Sequence, residues 1–282
     1  MRIDAHQHYW KLGRGDYGWL TPDVPVLYRD YLPEDLEPSL SRHEIGGTIV
    51  VQAAQTHAET DFLLELAERC ASVAGVVGWL DFGDPAWPEA LKRFQASPKF
   101  AGIRLMIQEM SDPREALQPH IINALRRFAE DRLPVDLLAV SHQLPAVMEL
   151  LELVPGLHAV IDHLCKPQIA AGVFEPWAEQ MKEIARRHPG TSCKLSGMVT
   201  EADHAGWKPD DFTAYVRHIA ECFGPSRVMF GSDWPVCLLA ADYGQVVSVL
   251  ERALPESFGE AERARLFGGN AAAFYKLNGA ER

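Results

Sequence analysis

The chain has 282 residues, 47% of them hydrophobic and 23% charged, with a formal net charge of −12. That is enough apolar sequence for a large core, and the length suits one barrel-sized domain as well as two smaller ones. The acidic balance argues against nucleic acid or an anionic membrane as a partner, since both require a basic surface.

The five cysteines, Cys70, Cys165, Cys193, Cys222 and Cys237, are scattered and never spaced Cys-x-x-Cys. A disulfide framework or a thiolate zinc knuckle is therefore not expected, and a reducing compartment fits. The first twenty residues hold no apolar signal-peptide core, and no apolar run approaches the length of a membrane span. The expected location is the cytoplasm.

The opening Arg2-Ile3-Asp4-Ala5-His6-Gln7-His8 reads as a strand with Asp4, His6 and His8 at alternate positions, so both imidazoles would project together. An aromatic, glycine-bearing loop follows through Trp10, Gly13, Gly15, Gly18 and Trp19, and a proline-led helix opens at Pro33. Residues 46–53 form a β-branched run typical of a strand buried on both faces. The helical spacing of Phe62, Leu63, Leu66, Ala67 and Cys70 then predicts a helix over 58–72.

The alternation continues with strands at 75–80, 100–106, 134–140, 157–162, 191–196 and 227–233. Helices are expected near 89–95, 119–131, 144–153, 176–187, 212–223, 243–253 and 261–275. Eight strands at spacings of roughly 25 to 45 residues predict an α/β fold, a (β/α)8 TIM barrel. A doubly wound open sheet would usually carry a glycine fingerprint after an early strand, and none stands there. We expect one domain over 1–282, with a C-terminal helical tail from about 256 to 282.

Barrel chemistry sits where strands end and loops begin. Those ends supply His6 and His8 from strand one, Trp79 from three, Arg104 from four and His142 just past five. Strand six ends in Asp162-His163, strand seven carries Lys194, and strand eight ends in Asp233. His6, His8, His163 and Asp233 together make a workable zinc set, because three imidazoles and one carboxylate suit a tetrahedral divalent ion. Asp233 has a second use as general base, since a carboxylate among imidazoles stays ionised and can accept a proton from water. Arg104 and Lys194 interrupt apolar strands, so each needs either a buried anion such as Asp81 or Asp136, or a polar ligand. No Gly-x-Ser-x-Gly elbow or P-loop is present.

The segments Ile3-Asp4-Ala5-His6-Gln7-His8-Tyr9-Trp10, Val160-Ile161-Asp162-His163-Leu164-Cys165-Lys166-Pro167, Met229-Phe230-Gly231-Ser232-Asp233-Trp234-Pro235 and Gly268-Gly269-Asn270 resemble the amidohydrolase superfamily. More narrowly, they resemble its lactonase branch, which includes L-fuconolactonase-like and L-rhamnonolactonase-like enzymes. The resemblance implies a distorted barrel and hydrolysis of a ring ester. His6, His8, His163 and Asp233 would carry over as the site residues. With Arg104 ending strand four and no histidine ending strand five, a two-metal centre is not expected. One divalent ion, zinc by preference, is compatible and need not be essential.

The expected substrate is a sugar lactone, an L-fuconolactone or a related L-sugar lactone. Asp233 would act as base, and His163 and Arg104 would stabilise the oxyanion alongside the strand-one pair. Trp10, Trp79 and Trp234 either pack in the core or offer faces to the sugar, with His142 and Lys194 as further substrate contacts. The alternatives are a zinc-dependent decarboxylase, a pyrone-type dicarboxylate lactonase, and an inactive barrel that binds sugar acids. Oligomeric state, a homo-oligomer included, is left open.

Overall fold

A computed structural model describes residues 1–277. Eight parallel strands run in sequence order around one sheet: β1 (Arg2–Gln7), β2 (Ile45–Val51), β3 (Val73–Gly78), β4 (Phe100–Met106), β5 (Val135–Leu138), β6 (Ala159–Ile161), β7 (Ser192–Leu195) and β8 (Val228–Phe230). The crossover helices are α1 (Pro33–Arg42), α2 (His57–Arg69), α3 (Trp87–Gln95), α4 (Pro119–Asp131), α5 (Leu144–Leu153), α6 (Trp177–Arg187), α7 (Thr213–Phe223) and α8 (Tyr243–Ala253). This is the expected (β/α)8 barrel. No helix among the described residues is long and apolar enough to cross a membrane.

Local chemistry sets the helix starts. The Thr56 side chain accepts from Glu59 N ahead of α2, and Asp242 accepts from Gln245 N ahead of α8. Prolines stand in the first turns of α1, α3, α4 and α5, where a missing N–H leaves no helical bond unmade. Each helix then buries its apolar stripe on the outer face of the sheet. The residues it meets there include Val50, Val76, Ile103, Leu137, Ile161 and Leu195.

The alternate strand residues point into the barrel and form layers. The lowest is apolar: Ile3, Ile49, Val77, Ala101, Val160 and Met229, closed from below by Ala271, Phe274 and Tyr275. Above it lies a buried charged layer of Arg104, Asp136, Asp162 and Lys194. The histidines and Asp233 stand above that.

The sheet closes where β1 meets the segment after β8, through His8 N to Trp234 O at 2.7 Å and Asp233 N to His6 O at 2.8 Å. Asp4 reinforces the closure. Its Oδ1 accepts from Ser232 N at 2.9 Å and His6 N at 3.1 Å, and its Oδ2 accepts from Tyr243 OH at 3.0 Å. The register of β1 on β2 shifts between Asp4 and Gln7. Asp4 therefore serves the seam, while His6 and His8 enter the barrel mouth.

The single helix expected over 261–275 is broken into α9 (Glu260–Ala264), a π turn over Arg265–Gly269, and α10 (Asn270–Phe274). The break falls at Gly268, whose backbone leaves the helical region (φ 173°, ψ −48°) and packs so closely on the chain start that a Cβ there would lie 2.2 Å from the backbone oxygen of Met1. The start of β1 packs directly on this turn. The expected tail beyond 277 lies outside the described residues.

Candidate active site

Three imidazoles and one carboxylate converge at the barrel mouth. His8 Nε2 lies 3.3 Å from Asp233 Oδ1, and the Nε2 atoms of His6 and His163 each lie 3.8 Å from it. His6 Nε2 and His8 Nε2 are 3.3 Å apart. All four residues are buried.

The local backbone is arranged to present these groups. Asp233 follows β8 in the left-handed region, at φ 57°. After β6, His163, Leu164, Cys165 and Lys166 all have φ between 48° and 57°, a left-handed turn made without glycine. Such conformations cost of order 1–3 kcal/mol each and persist only where surroundings over-determine them. Here Leu164 and Cys165 are fully buried, and Trp177 Nε1 donates to Leu164 O at 2.7 Å. Gly197, just past β7, lies against the His163 ring, where a Cβ would come within 2.6 Å of Nδ1. Ser196 Oγ meets that same Nδ1 at 2.8 Å.

Beneath the imidazoles, Lys194 Nζ contacts Asp136 Oδ2 at 2.5 Å, Asp162 Oδ1 at 3.0 Å and His6 Nδ1 at 3.1 Å. Lys194 thus took the first of its two expected roles: it pairs with buried anions, Asp136 among them, and is wholly shielded from the cavity. Arg104 donates to both the backbone O and Oε1 of Gln52 and lies 3.7 Å from Asp162. Unlike Lys194, it also lines the cavity.

Electrostatics separate the roles. Burial, then the cations Lys194 and Arg104 among others, hold His6 well below the ordinary histidine value; burial does the same to His163. Both shifts favour the neutral imidazole. Burial by itself pushes Asp233 up, but the surrounding imidazoles and Lys166 outweigh it and leave Asp233 below the usual carboxylate value. Asp162 behaves likewise under Lys194, His163 and Arg104. Burial and the neighbouring Asp162 push Asp136 up to about 6 despite Lys194.

A cleft of about 500 Å3 opens over this floor. His8, Arg104, His163 and Asp233 reach it from below, and Asp16, Trp19, Gln55, Glu109 and Lys166 form the walls. Several expected substrate contacts lie elsewhere. Trp10 is fully buried against Trp19 and Tyr31, with Nε1 donating to Arg29 O. Trp234 packs on Tyr9 and Tyr31, and Trp79 on His57. His142 lines a neighbouring groove that meets the cleft at Lys166. The tryptophan at the mouth is instead Trp19, whose Nε1 donates to Ala53 O at 2.8 Å. Lys166 and Trp19 were not among the expected site residues. Lys166 stood in the quoted Asp162–Pro167 segment, but a side chain delivered by a left-handed turn has no periodicity to reveal it.

His6, His163 and Asp233 each offer a ligand atom within 4.8 Å of the others and so suit a divalent ion, and His8 Nε2 stands 3.3 Å from His6 Nε2 and from Asp233 Oδ1. Tetrahedral bonds of about 2.0–2.1 Å place donors roughly 3.3–3.4 Å apart, close to the separations present. His8 is already prepared as a ligand: its Nδ1 donates to Val51 O at 2.7 Å, which leaves the Nε2 lone pair facing the cleft. The floor therefore offers an ionised base, imidazole donors and acceptors, and one guanidinium around a single point.

A parallel barrel with this set of groups at its strand ends is a hydrolase scaffold, and the chain belongs to the amidohydrolase family, whose model matches residues 3–277. It is 40% identical over 283 residues to an L-fucono-1,5-lactonase of Burkholderia ambifaria, covering 99% of this chain and 96% of that one. An L-fucono-1,5-lactonase of Burkholderia multivorans is 38% identical over 290 residues, covering 98% and 96%. An amidohydrolase from Burkholderia multivorans, crystallised with bound zinc, superposes with a TM-score of 0.90 at 38% identity, covering 98% of this chain and 99% of that one.

Proposed function

We propose that this chain hydrolyses a sugar lactone to its acid, with L-fucono-1,5-lactone as the first candidate. The observation that carries the reading is the Asp233 carboxylate, held ionised among three imidazoles where Arg104 faces the same cleft. Asp233 accepts a proton from water as the water oxygen attacks the lactone carbonyl. Arg104 and an imidazole N–H stabilise the oxyanion that forms. The C–O bond to the ring oxygen then breaks, and Asp233 returns the proton to the leaving alkoxide. His6, His8, His163 and Asp233 would hold a zinc ion, which would supply Lewis-acid polarisation of the carbonyl. The reaction as written balances without it.

The cleft walls favour a polyol over a dianion. Arg104 is the only arginine among the described residues lining the cleft. Arg14 is paired with Asp16, and Arg29 with Asp35. Glu109 on the wall, facing only Arg104 and Lys166 as cleft cations among the described residues, disfavours a dicarboxylate, and Glu109 and the Arg14-paired Asp16 can accept from sugar hydroxyls. The 1,5 ring follows the names of the Burkholderia relatives.

The test is acid release from a panel of sugar lactones, read with a pH indicator, with Asp233→Asn alongside. We expect turnover of L-fucono-1,5-lactone and a loss of about 10³-fold in kcat in the variant. No turnover of any lactone, or an undiminished variant, would sink the proposal. Carbon dioxide release from an aromatic acid would point to the decarboxylase alternative.

A further inference from the structure

The hydrogen bonds around His6 have a direction. A backbone carbonyl carries no proton, so the 2.7 Å contact between His8 Nδ1 and Val51 O puts a hydrogen on His8 Nδ1 and, in the neutral ring, a lone pair on its Nε2. A lysine ammonium has donors and no acceptor, so the 3.1 Å contact between Lys194 Nζ and His6 Nδ1 puts the lone pair on Nδ1. A neutral His6 then carries its hydrogen on Nε2. That atom lies 3.3 Å from His8 Nε2, an acceptor by the first argument. The three contacts agree on one polarity: Lys194 Nζ to His6 Nδ1, His6 Nε2 to His8 Nε2, His8 Nδ1 to Val51 O.

The opposite polarity also has a partner waiting. Asp162 Oδ1 lies 3.3 Å from His6 Nδ1, and its present partners are the cations Lys194, at 3.0 Å, and Arg104, at 3.7 Å from Oδ2, so it retains acceptor capacity for an imidazole N–H. A divalent ion needs the Nε2 lone pair of His6, which requires the hydrogen on Nδ1. Asp162 would accept that hydrogen once Lys194 no longer donated to Nδ1.

We propose that Lys194 is a positioning residue that holds His6 as the Nε2–H tautomer, so that a divalent ion enters the His6–His8 pair only by reversing His6 onto Asp162. In the metal-free protein the His6 Nε2–H donates to His8 Nε2, beneath the cleft that His8 itself lines. Metal binding and donation by His6 are alternative states of one imidazole. Lys194 sets the balance between them.

The test needs neither substrate nor turnover, so its outcome is separate from that of the lactonase assay. The full-length protein, labelled with 15N-histidine and verified metal-free, is examined by long-range proton–nitrogen correlation, with His6→Gln and His8→Gln used to assign the rings. We expect His6 protonated at Nε2 and His8 at Nδ1; a hydrogen on His6 Nδ1 would overturn the proposal. In Lys194→Met, His6 should move to the Nδ1–H form, and zinc affinity measured by chelator competition should rise about tenfold or more. A folded Lys194→Met protein with His6 still protonated at Nε2 would refute it. If that variant does not fold, titrating zinc into the wild type decides: stoichiometric transfer of the His6 hydrogen to Nδ1 is expected, and an unchanged His6 with zinc bound refutes the proposal.

Discussion

Arg104 illustrates how a residue that breaks the apolar pattern of a strand becomes useful. Its neighbours Ile103 and Leu105 face the helices, so parity alone aims it into the barrel. There the carbonyl and amide oxygens of Gln52 fix the guanidinium, and Asp162 balances its charge. Arg104→Lys keeps the charge but loses the planar guanidinium whose Nη2 bonds both Gln52 oxygens while Nη1 faces Asp162. We expect kcat on L-fucono-1,5-lactone to fall by about 10- to 100-fold with little change in fold, checked by steady-state kinetics beside circular dichroism. His6, His8, His163 and Asp233 were legible in the sequence because each closes a strand with recognisable apolar residues. For Trp10, Trp79 and Trp234 the sequence left core packing and sugar contact both open, since a large aromatic at a strand end satisfies either equally well. Only the path of the long loop after β1 decides that Trp19, rather than Trp10, reaches the cleft.

Among the elements, the β2–α2 junction ties stability to pH. Glu59, in the first turn of α2, is buried and accepts from the backbone N–H of Ala53 at 2.9 Å and of Ala54 at 3.0 Å, residues of the cleft wall. Burial raises it from the ordinary 4.5 to about 7. Between those values the native state holds a proton that the unfolded chain releases, so this group's contribution falls as pH rises through that window. The slope reaches at most about 1.4 kcal/mol per pH unit. Thermal melts of Glu59→Gln between pH 5 and 8 should show a flatter pH dependence than the wild type; an unchanged profile would show that Glu59 does not titrate there.

Strand lengths were read less well than strand positions. The run expected over 227–233 ends at Phe230, because Asp4 takes the Ser232 N–H and Asp233 turns left-handed. Both causes lie far apart in sequence. The break near Gly268 escaped for a similar reason: the residues packed against it belong to the opposite end of the chain.

For the molecule as a whole, the barrel interior is an axial stack from an apolar plug to a charged floor, and Tyr275 joins the two. Its ring closes the bottom layer while its hydroxyl donates to Asp136 Oδ1 at 2.7 Å, and Asp136 pairs with Lys194. Tyr275→Phe keeps the ring and removes that bond, so urea denaturation should show a loss of about 1–2 kcal/mol. The order β1 to β8 was predictable from alternation and the handedness of parallel crossovers. The inward charged layer was visible only as isolated exceptions, because a single strand does not reveal which other strands' charges will meet its own.

The seam has a kinetic consequence. Among the described residues, the backbone between β1 and the β8 segment is joined only outside β8 itself, through His8, Asp233 and their partners, whereas every other pair of neighbouring strands is paired strand to strand. A barrel should part first along its least-bonded line, as a sub-global opening that costs less than full unfolding. Here that line runs through Asp233, the proposed general base, and two of the three imidazoles. Rising denaturant should therefore abolish turnover before far-ultraviolet ellipticity changes, and the amides of His8 and Asp233 should exchange with deuterium sooner than those within β2 to β4. Coincident loss of activity and ellipticity, with uniform exchange, would show that the seam opens only with the whole barrel.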